Sequence, residues 1–257
     1  MTRTPIETAR IALACLDLTS LNDGDTDSQI AILCARAAGP HGKAAAVCVW
    51  PRFARFARAN LSAEVAVAAV ANFPDGGTDV QRALRDTGEI VQAGAQEVDL
   101  ALPWRALMAG DESAAAAVVR AVRKASGGLL LKVILETGEL KDTALIERAA
   151  RIVLDEGADF LKTSTGKTPV SATLLAAGTM LRVIAADPQA NDRVGFKAAG
   201  GIRSVADAQP YLALAETHLG SAALTSARFR FGASGLLGDI EAVLGGSYTA
   251  PTRAQAY

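Results

Sequence analysis

ADFLKTSTGK, residues 158–167, is a short apolar strand that passes directly into a polar loop containing a glycine. Lys162 stands at the change-over, between the apolar pair Phe160 and Leu161 and a run of hydroxyl residues. An ammonium in such a place is costly unless it is paired or loses its proton, and a neutral amine there is a nucleophile for carbonyl groups. The alternative is an ordinary lysine at a strand end whose charged head reaches water.

Apolar runs of strand length recur along the chain, each followed by a segment with helical spacing. The runs are continuously apolar rather than alternating, which is typical of parallel strands covered by helices. Eight strands are predicted, over residues 10–17, 44–50, 64–71, 97–102, 128–135, the beginning of 158–167, 193–198 and 228–231. Eight such units in about 250 residues predict a (βα)8 TIM barrel. A doubly wound open sheet is the alternative, but the glycine fingerprint that usually follows its first strand is absent.

Helix boundaries are marked by capping residues and by proline. Asp142 and Ser204 are predicted N-caps, and Thr78–Gln81 has the form of a capping box. Pro210 lies inside the helix that follows Ser204, so we expect that helix to be kinked or shortened.

Composition and charge narrow the classes of function. The 257 residues are 50% hydrophobic with a net charge of -1, so no basic field predicts nucleic acid or an anionic membrane as a partner. The first residues show no signal-peptide pattern, no apolar run has the length of a membrane helix, and the cysteines have no CxxC spacing. We therefore expect a cytoplasmic protein with one barrel domain over residues 1–257 and a flexible tail from about residue 245.

Five charged residues stand in or at the ends of the predicted strands: Asp17, Asp99, Lys132, Lys162 and Lys197. In a barrel, side chains at the carboxyl ends of the strands converge on one mouth, where barrel enzymes hold their active sites. Three lysines against two aspartates leave an excess positive charge that disfavours protonation of at least one lysine. Lys162 and Lys197 are the best pair for this effect, and the residues alone leave open which is the nucleophile. A buried charge network that only sets strand register is the alternative.

The loops behind the last three predicted strands form a second candidate site. They contain Thr165–Lys167, Gly200–Gly201 and Gly232–Gly235. Glycine lets backbone N–H groups approach an anion, and such loops beside a helix N-terminus are the usual phosphate pocket of these barrels. Ordinary turn glycines are the alternative. Because His41 and His218 are the only histidines and lie far apart in sequence, a lysine amine beside a phosphate site predicts Schiff-base chemistry on a phosphorylated sugar without a metal.

Longer strings resemble the deoxyribose-phosphate aldolases of the bacterial type, over nearly the whole chain and in register with the predicted strands. The strings are LDLTSLND (16–23), VCVWPRF (47–53), NFPDG (72–76), EVDLALPWRALMAG (97–110), LLLKVILETGELKD (129–142), ADFLKTSTGK (158–167), GFKAAGG (195–201) and RFGAS (230–234).

This resemblance implies a class I aldolase on a (βα)8 barrel that uses no metal or organic cofactor. It implies reversible cleavage of 2-deoxy-D-ribose 5-phosphate to D-glyceraldehyde 3-phosphate and acetaldehyde. By the same resemblance Lys162 is the Schiff-base lysine, Lys197 perturbs it, and Asp99 joins Lys197 and a water in proton transfer. Tyr257, the last residue, would reach the site and assist proton exchange, whereas the default for such a terminus is disorder.

Binding roles follow from the resemblance as well. Phosphate is expected at Gly166, Lys167, Gly200, Gly201 and Ser234. Further substrate contacts are expected at Asp17, Thr19, Thr165 and Gly235, with Lys132 and Cys48 as supporting residues. Gly235 stands where the family has a second serine, so one hydroxyl contact to phosphate is lost while a backbone N–H remains. Trp50 replaces a tyrosine that the family often has near Cys48, which changes the mouth of the site.

Other functions remain as alternatives. One is another class I aldolase or transaldolase-like enzyme with a different donor, and another is a non-catalytic sugar-phosphate-binding barrel that forms no imine. A chain altered by engineering is also compatible with the sequence. The expected partners are a small phosphorylated sugar and aldehydes. The family is often dimeric, which makes a homodimer one expectation, although no sequence patch marks an interface.

Overall fold

The computed structural model describes residues 3–246, which contain a closed barrel of parallel strands. The strands are β1 Leu16–Thr19, β2 Ala46–Val49, β3 Ala66–Ala71, β4 Glu97–Ala101, β5 Leu130–Ile134, β6 Phe160–Lys162, β7 Gly195–Ala199 and β8 Phe229–Ala233. Each strand pairs in parallel with the next, and β8 pairs with β1. The predicted (βα)8 barrel is therefore confirmed. The open doubly wound sheet is wrong, because every strand of the barrel has two neighbours.

Helices cover the outside of the barrel. They are α1 Pro5–Ala14, α2 Asp27–Arg36, α3 Pro51–Ala59, α4 Val80–Gln92, α5 Trp104–Met108, α6 Glu112–Ala125, α7 Thr137–Leu140, α8 Thr143–Asp155, α9 Leu174–Ala186, α10 Val205–Leu219 and α11 Leu236–Leu244. A predicted helix follows every strand as expected, and α1, α5 and α7 are additional. A short hairpin, 38–39 with 42–43, and a 3-10 turn, Ser221–Ala223, complete the described elements.

The N-terminal segment differs from the sequence-based expectation. The strand predicted over 10–17 begins only at Leu16, because the residues before it form α1. Thr4 and Glu7 form a capping box, in which the Thr4 hydroxyl accepts from the Glu7 N–H and the Glu7 carboxylate accepts from the Thr4 N–H. Pro5 occupies the first helical position, where its missing N–H costs nothing. These local signals at the helix start outweigh the apolar run that looked like a strand.

Four of the boundary predictions can be compared directly with the structure. Asp142 and Ser204 cap α8 and α10 as predicted. The cap of α4 is Asp79 rather than Thr78, since the Asp79 carboxylate accepts from the first free N–H groups of that helix. The expected shortening at Pro210 is wrong, because α10 continues through it. The proline removes one donor near the start of a 15-residue helix whose other face is buried.

The barrel has two different interiors. Outward side chains of the strands pack beneath the helices in one large apolar core. Inside the barrel, a smaller apolar cluster consists of Leu21, Cys48, Ala68, Val70, Phe73, Ala101 and Ile134. The interior also contains charged side chains that are all but fully buried. These buried charges are the part of the barrel that packing alone does not explain.

Some expectations fall outside what the structure tests. The flexible tail lies almost wholly in residues 247–257, outside the described residues, and the single domain over residues 1–257 remains a prediction. Within residues 3–246, no helix combines the length and apolar character that crossing a membrane requires.

Gly195 opens β7 at a point where the Phe160 ring of β6 leaves no room for a side chain. A Cβ at position 195 would lie 2.4 Å from the ring. We expect Gly195→Ala to lower the free energy of unfolding by about 1–3 kcal/mol through overpacking, measured by urea denaturation. Gly178→Ala, inside α9 with open space around its Cβ position, is the matched control and should raise stability by on the order of 0.5–1 kcal/mol. Equal stability of the two variants would contradict this account.

Candidate active site

The carboxylate of Asp99 lies at the centre of a buried cluster of lysines. Its Oδ2 accepts hydrogen bonds from Lys162 Nζ at 2.7 Å and from Lys197 Nζ at 2.8 Å. Its Oδ1 accepts from Lys132 Nζ at 2.8 Å. All four side chains are buried, and Lys162, at 3% exposure, is the most accessible. The groups expected to converge therefore meet at one carboxylate, with Lys132 in the supporting position that was expected.

Strand register brings these groups together. Asp99 on β4 is the partner of Lys132 on β5, and Lys162 on β6 is the partner of Lys197 on β7. Partners in a parallel pair point to the same side of the sheet, which here is the inside of the barrel. Two neighbouring pairs of charged residues are thus placed side by side by backbone pairing alone.

Glu97 and Arg230 extend the cluster and were not singled out as site residues from the sequence. Arg230 donates from Nη2 to Glu97 Oε1 at 2.8 Å and from Nη1 to Asp17 Oδ1 at 2.5 Å. Lys132 Nζ also donates to Glu97 Oε2. The period of two along β4 could have identified Glu97, because it stands two residues before Asp99 and so faces the same side.

Together these contacts form a closed ring of alternating charge. Each member of the ring contacts the two next to it, in the order Lys132, Asp99, Lys197, Asp17, Arg230, Glu97 and back to Lys132. Lys132 Nζ also lies 3.5 Å from Asp17 across the ring. The ring holds three positive and three negative groups and is balanced. Lys162 is attached to it only through Asp99. It is therefore the one buried cation of the cluster that lacks a carboxylate to balance it.

The pKa values follow from this balance. Burial lowers the pKa of Lys162 below its usual range; attraction to Asp99 opposes the shift, and the neighbouring cation of Lys197 adds to it. Burial acts on Lys197 too, but Asp17 and Asp99 outweigh it, so the pKa of Lys197 is raised. Burial alone would raise the pKa of Asp99, yet the three lysines hold it well below its usual range. Of the two lysines left open by the sequence, Lys162 is thus the better candidate for the neutral amine.

Asp17, a member of the ring, and Cys48, which lies beside it, do not line the pocket. Asp17, expected to bind substrate, is fully buried, and its carboxylate is occupied by Lys197 and Arg230. Its position is that of an ionic partner rather than of a ligand-binding group. Cys48 Sγ lies 3.9 Å from Asp99 Oδ2, and burial raises the pKa of this thiol to about 11, so it is neutral at physiological pH.

A cavity of about 520 Å³ opens over Lys162 at the carboxyl ends of the strands. Lys162 is the only charged side chain of the cluster around Asp99 that lines it. The loop residues predicted to bind substrate or phosphate line the same cavity: Thr19, Thr165, Gly166, Lys167, Gly200, Gly201, Ser234 and Gly235. The two candidate sites of the sequence, an amine and a polar glycine-rich rim, are therefore two ends of one pocket.

The rim of the pocket has the features of an anion site. Gly200 has a φ of 84°, and a Cβ there would lie 2.5 Å from Ser171, so only glycine brings the backbone this close. Gly235 precedes the first turn of α11, whose free N–H groups favour a negative group. Lys167 Nζ donates to the carbonyl of Leu21 at 2.7 Å, which holds its ammonium at the rim.

Glu136 organises the loop after β6, a role that the sequence did not reveal. It follows β5 with a left-handed backbone, φ 57°, and is 1% exposed. Its carboxylate accepts from the N–H and the hydroxyl of Thr165 and from the hydroxyl of Thr168. Burial raises the pKa of Glu136, and these hydrogen bonds oppose the shift. A buried carboxylate on one loop thus fixes the backbone of the next, from which Gly166 and Lys167 reach the pocket.

Trp50, one of the two residues that depart from the resemblance, contacts Asn22, which lines the pocket. Its Nε1 donates to the carbonyl of Asn22 at 3.1 Å, and its ring meets Phe73 edge-on at 5.5 Å between centroids. Trp50 therefore joins the loops after β1, β2 and β3. Tyr257 lies outside the described residues, and its role remains a prediction.

Two comparisons of the sequence with known proteins agree with each other. The model of the DeoC/LacD family of aldolases matches residues 11–237. A deoxyribose-phosphate aldolase from Agrobacterium fabrum (strain C58) is 51% identical over 245 residues, which cover 94% of this chain and 93% of that protein.

Solved structures share the barrel. A candidate deoxyribose-phosphate aldolase from Toxoplasma gondii ME49, crystallised in its apo form, superposes with a TM-score of 0.86 at 28% identity. That match covers 94% of this chain and 98% of the other. The deoxyribose phosphate aldolase of Aeropyrum pernix, described as tetrameric, gives a TM-score of 0.73 at 22% identity over 94% and 97% of the two chains. At that level of identity the likeness concerns the fold alone.

Replacing Glu136 should loosen the loop after β6. Glu136→Gln retains the shape but leaves one acceptor oxygen and turns an N–H toward Thr165. Because hydrogen bonds to a charged group contribute about 1.5–3 kcal/mol, we expect amide hydrogen exchange in residues 163–168 to accelerate about 10- to 100-fold. Mass-spectrometric exchange measures this, with Glu139→Gln in α7 as the control that should leave the loop unchanged. Unchanged exchange in the Glu136 variant would show that the carboxylate does not hold the loop.

Proposed function

Because this chain belongs to the DeoC/LacD family of aldolases, we propose that it cleaves 2-deoxy-D-ribose 5-phosphate reversibly to D-glyceraldehyde 3-phosphate and acetaldehyde. The reaction proceeds through a Schiff base on Lys162. One observation carries the proposal: an unbalanced buried lysine, with its pKa lowered, stands at one end of a pocket whose other end is built for an anion.

The rim of the pocket orients the substrate. The phosphate binds at the loops after β6, β7 and β8, where Gly166, Gly200 and Ser234 line the cavity and α11 begins. Lys167 supplies a full positive charge at this end. An open-chain sugar held by its phosphate then extends its C1 aldehyde toward Lys162.

Imine formation uses the groups around Asp99. The neutral amine of Lys162 attacks C1 and gives a carbinolamine. The ionised Asp99 relays a proton from the nitrogen to the C1 oxygen as the carbinolamine forms, and Lys197, which keeps its proton, then donates it as the C1 hydroxyl leaves as water and the iminium ion forms. Asp99 Oδ2 lies within hydrogen-bond distance of both Lys162 Nζ and Lys197 Nζ. Acid–base assistance of this kind contributes about 100- to 10,000-fold to the rate.

Carbon–carbon cleavage follows from the iminium ion. Loss of the C3 hydroxyl proton breaks the C2–C3 bond, and the electron pair moves into the iminium to leave an enamine on Lys162. D-Glyceraldehyde 3-phosphate departs with the new aldehyde at the former C3. Protonation of the enamine at C2 and hydrolysis release acetaldehyde and restore the amine.

The apolar cluster inside the barrel suits the two-carbon enamine that remains on Lys162 after cleavage. Ile134 is the strand partner of Lys162, and Val70 and Ala101 belong to the same cluster. A two-carbon enamine has no polar group beyond its nitrogen, so an apolar wall accommodates it without unsatisfied hydrogen bonds. Self-association, a cytoplasmic location and the part of Tyr257 remain predictions.

Reductive trapping tests the Schiff base. Incubation with acetaldehyde and borohydride should place an ethyl group on Lys162, located by peptide mass mapping, because the imine is reduced to a stable secondary amine. Lys162→Met should remove both the adduct and the aldolase activity while remaining folded. An adduct on Lys197 instead would overturn the choice of nucleophile, and no adduct on the folded parent protein would favour a binding protein over an enzyme.

Lys167→Met tests the phosphate end of the pocket. Removing a charge-assisted contact of about 1.5–3 kcal/mol should raise KM for 2-deoxyribose 5-phosphate about 10- to 100-fold. The kinetic constants for unphosphorylated 2-deoxyribose should change little, since that substrate offers no anion. Lys124→Met, on the exposed face of α6, is the matched control. Equal losses with both sugars would argue against phosphate binding by Lys167.

A further inference from the structure

We propose that Glu97 and Arg230 are positioning residues that set the protonation of Lys162, in opposite directions, by closing the ring around Asp99 into a charge-balanced set. Neither residue lines the pocket, so neither touches the substrate. The inference rests on the proposed Schiff base at Lys162 and adds how the protonation of that lysine is set.

Shared contacts carry the influence of both residues to Asp99. Lys132 lies between Glu97 and Asp99, with its Nζ in contact with both carboxylates. Arg230 lies between Glu97 and Asp17, and Asp17 in turn contacts Lys197. If Glu97 is removed, Lys132 keeps Asp99 at 2.8 Å and Asp17 at 3.5 Å as its remaining anionic partners. If Arg230 is removed, the negative charges of Asp17 and Glu97 are balanced only by the remaining lysines, which raises the negative potential around those lysines.

Burial makes the ring sensitive to a single charge. Arg230 is the most exposed member at 5%, and Lys132, Lys197, Asp17 and Asp99 are at 0%. Solvent and salt therefore screen these charges weakly. A unit charge in such an interior changes the pKa of a neighbouring group by on the order of one pH unit or more.

The other groups near Lys162 do not supply the missing balance. Lys162 is faced by Asp99 from β4, Lys197 from β7 and Cys48 from β2, with Glu136 near the end of β5. Cys48 is a neutral thiol because burial raises its pKa to about 11. Glu136 is occupied by the hydroxyl and amide donors of the loop after β6. Asp99 is left as the only direct anionic contact of Lys162 among the described residues. The other charges of the ring determine how strongly the Asp99 carboxylate stabilises the protonated form of Lys162.

The two residues are expected to act in opposite directions. Arg230→Gln leaves the ring with one excess negative charge, so Lys162 should keep its proton to higher pH. Glu97→Gln leaves one excess positive charge, so Lys162 should lose its proton at lower pH. The double variant restores the balance with two cations and two anions. A network that only sets strand register would affect stability without this reversal of sign.

The experiment measures trapping at Lys162 against pH. Acetaldehyde and cyanoborohydride are applied briefly across a pH series, and the ethylated fraction of the Lys162 peptide gives the midpoint of the acidic limb. We expect the midpoint to rise by about one pH unit in Arg230→Gln, to fall in Glu97→Gln and to return to the parent value in the double variant. Arg230→Lys, which keeps the charge, should leave the midpoint in place.

The controls separate this inference from the proposed function. Circular dichroism and thermal unfolding identify any variant that fails to fold, and if one single variant is lost, the other and the double variant still report the sign. Shifts in the same direction, or an unmoved midpoint in the folded variants, would overturn the role of the ring. Absence of a Lys162 adduct in the parent protein at every pH would overturn the Schiff base instead.

Discussion

One carboxylate shared by three lysines determines much of what this barrel can do. Asp99 contacts Lys132, Lys162 and Lys197 at 2.7–2.8 Å in a place that water does not reach. A buried cation needs a balancing anion, because transfer of an isolated charge out of water is prohibitive. The ring provides that balance for every cation except Lys162. Lys162 is the one lysine of the cluster without a carboxylate of its own in the ring, and burial lowers its pKa below the usual range.

The backbone makes room for this arrangement. Lys197 needs a gap beside it, and Gly232 on β8 provides one, since a Cβ there would lie 2.9 Å from Lys197 Cε. The short strand β6 carries only Phe160, Leu161 and Lys162, and inward residues alternate with outward ones, so Lys162 faces the interior at the strand end. The apolar cluster fills interior positions of β2 to β5, next to the charged groups. Fold and chemistry thus depend on the same alternation of side chains.

The sequence predicted the barrel and the identity of the central lysines for physical reasons. Apolar runs reveal buried strands, and a charge within such a run stands out, as Asp99 and Lys132 do. The helix α1 was missed because the apolar run after Arg10, up to Leu16, was interpreted as a strand and the capping signals at Thr4 and Pro5 were not considered. Glu97 and Arg230 were missed as site residues because a charge at the start of a strand looks like a solvated end. Which lysine is neutral depends on how carboxylates are shared in space, and no spacing along the chain encodes that.

The pocket separates its reactive floor from a rim made mainly of loop backbone. At the floor a change of one side chain disturbs several partners, since every member of the ring contacts at least two others. At the rim, residues such as Ser234 and Gly235 contribute a hydroxyl or an N–H and carry no partner in the ring. Substrate preference and reaction type can therefore diverge independently in this lineage. In a barrel of this kind, substitutions in the loops can alter what the pocket binds while the buried charges beneath it stay unchanged.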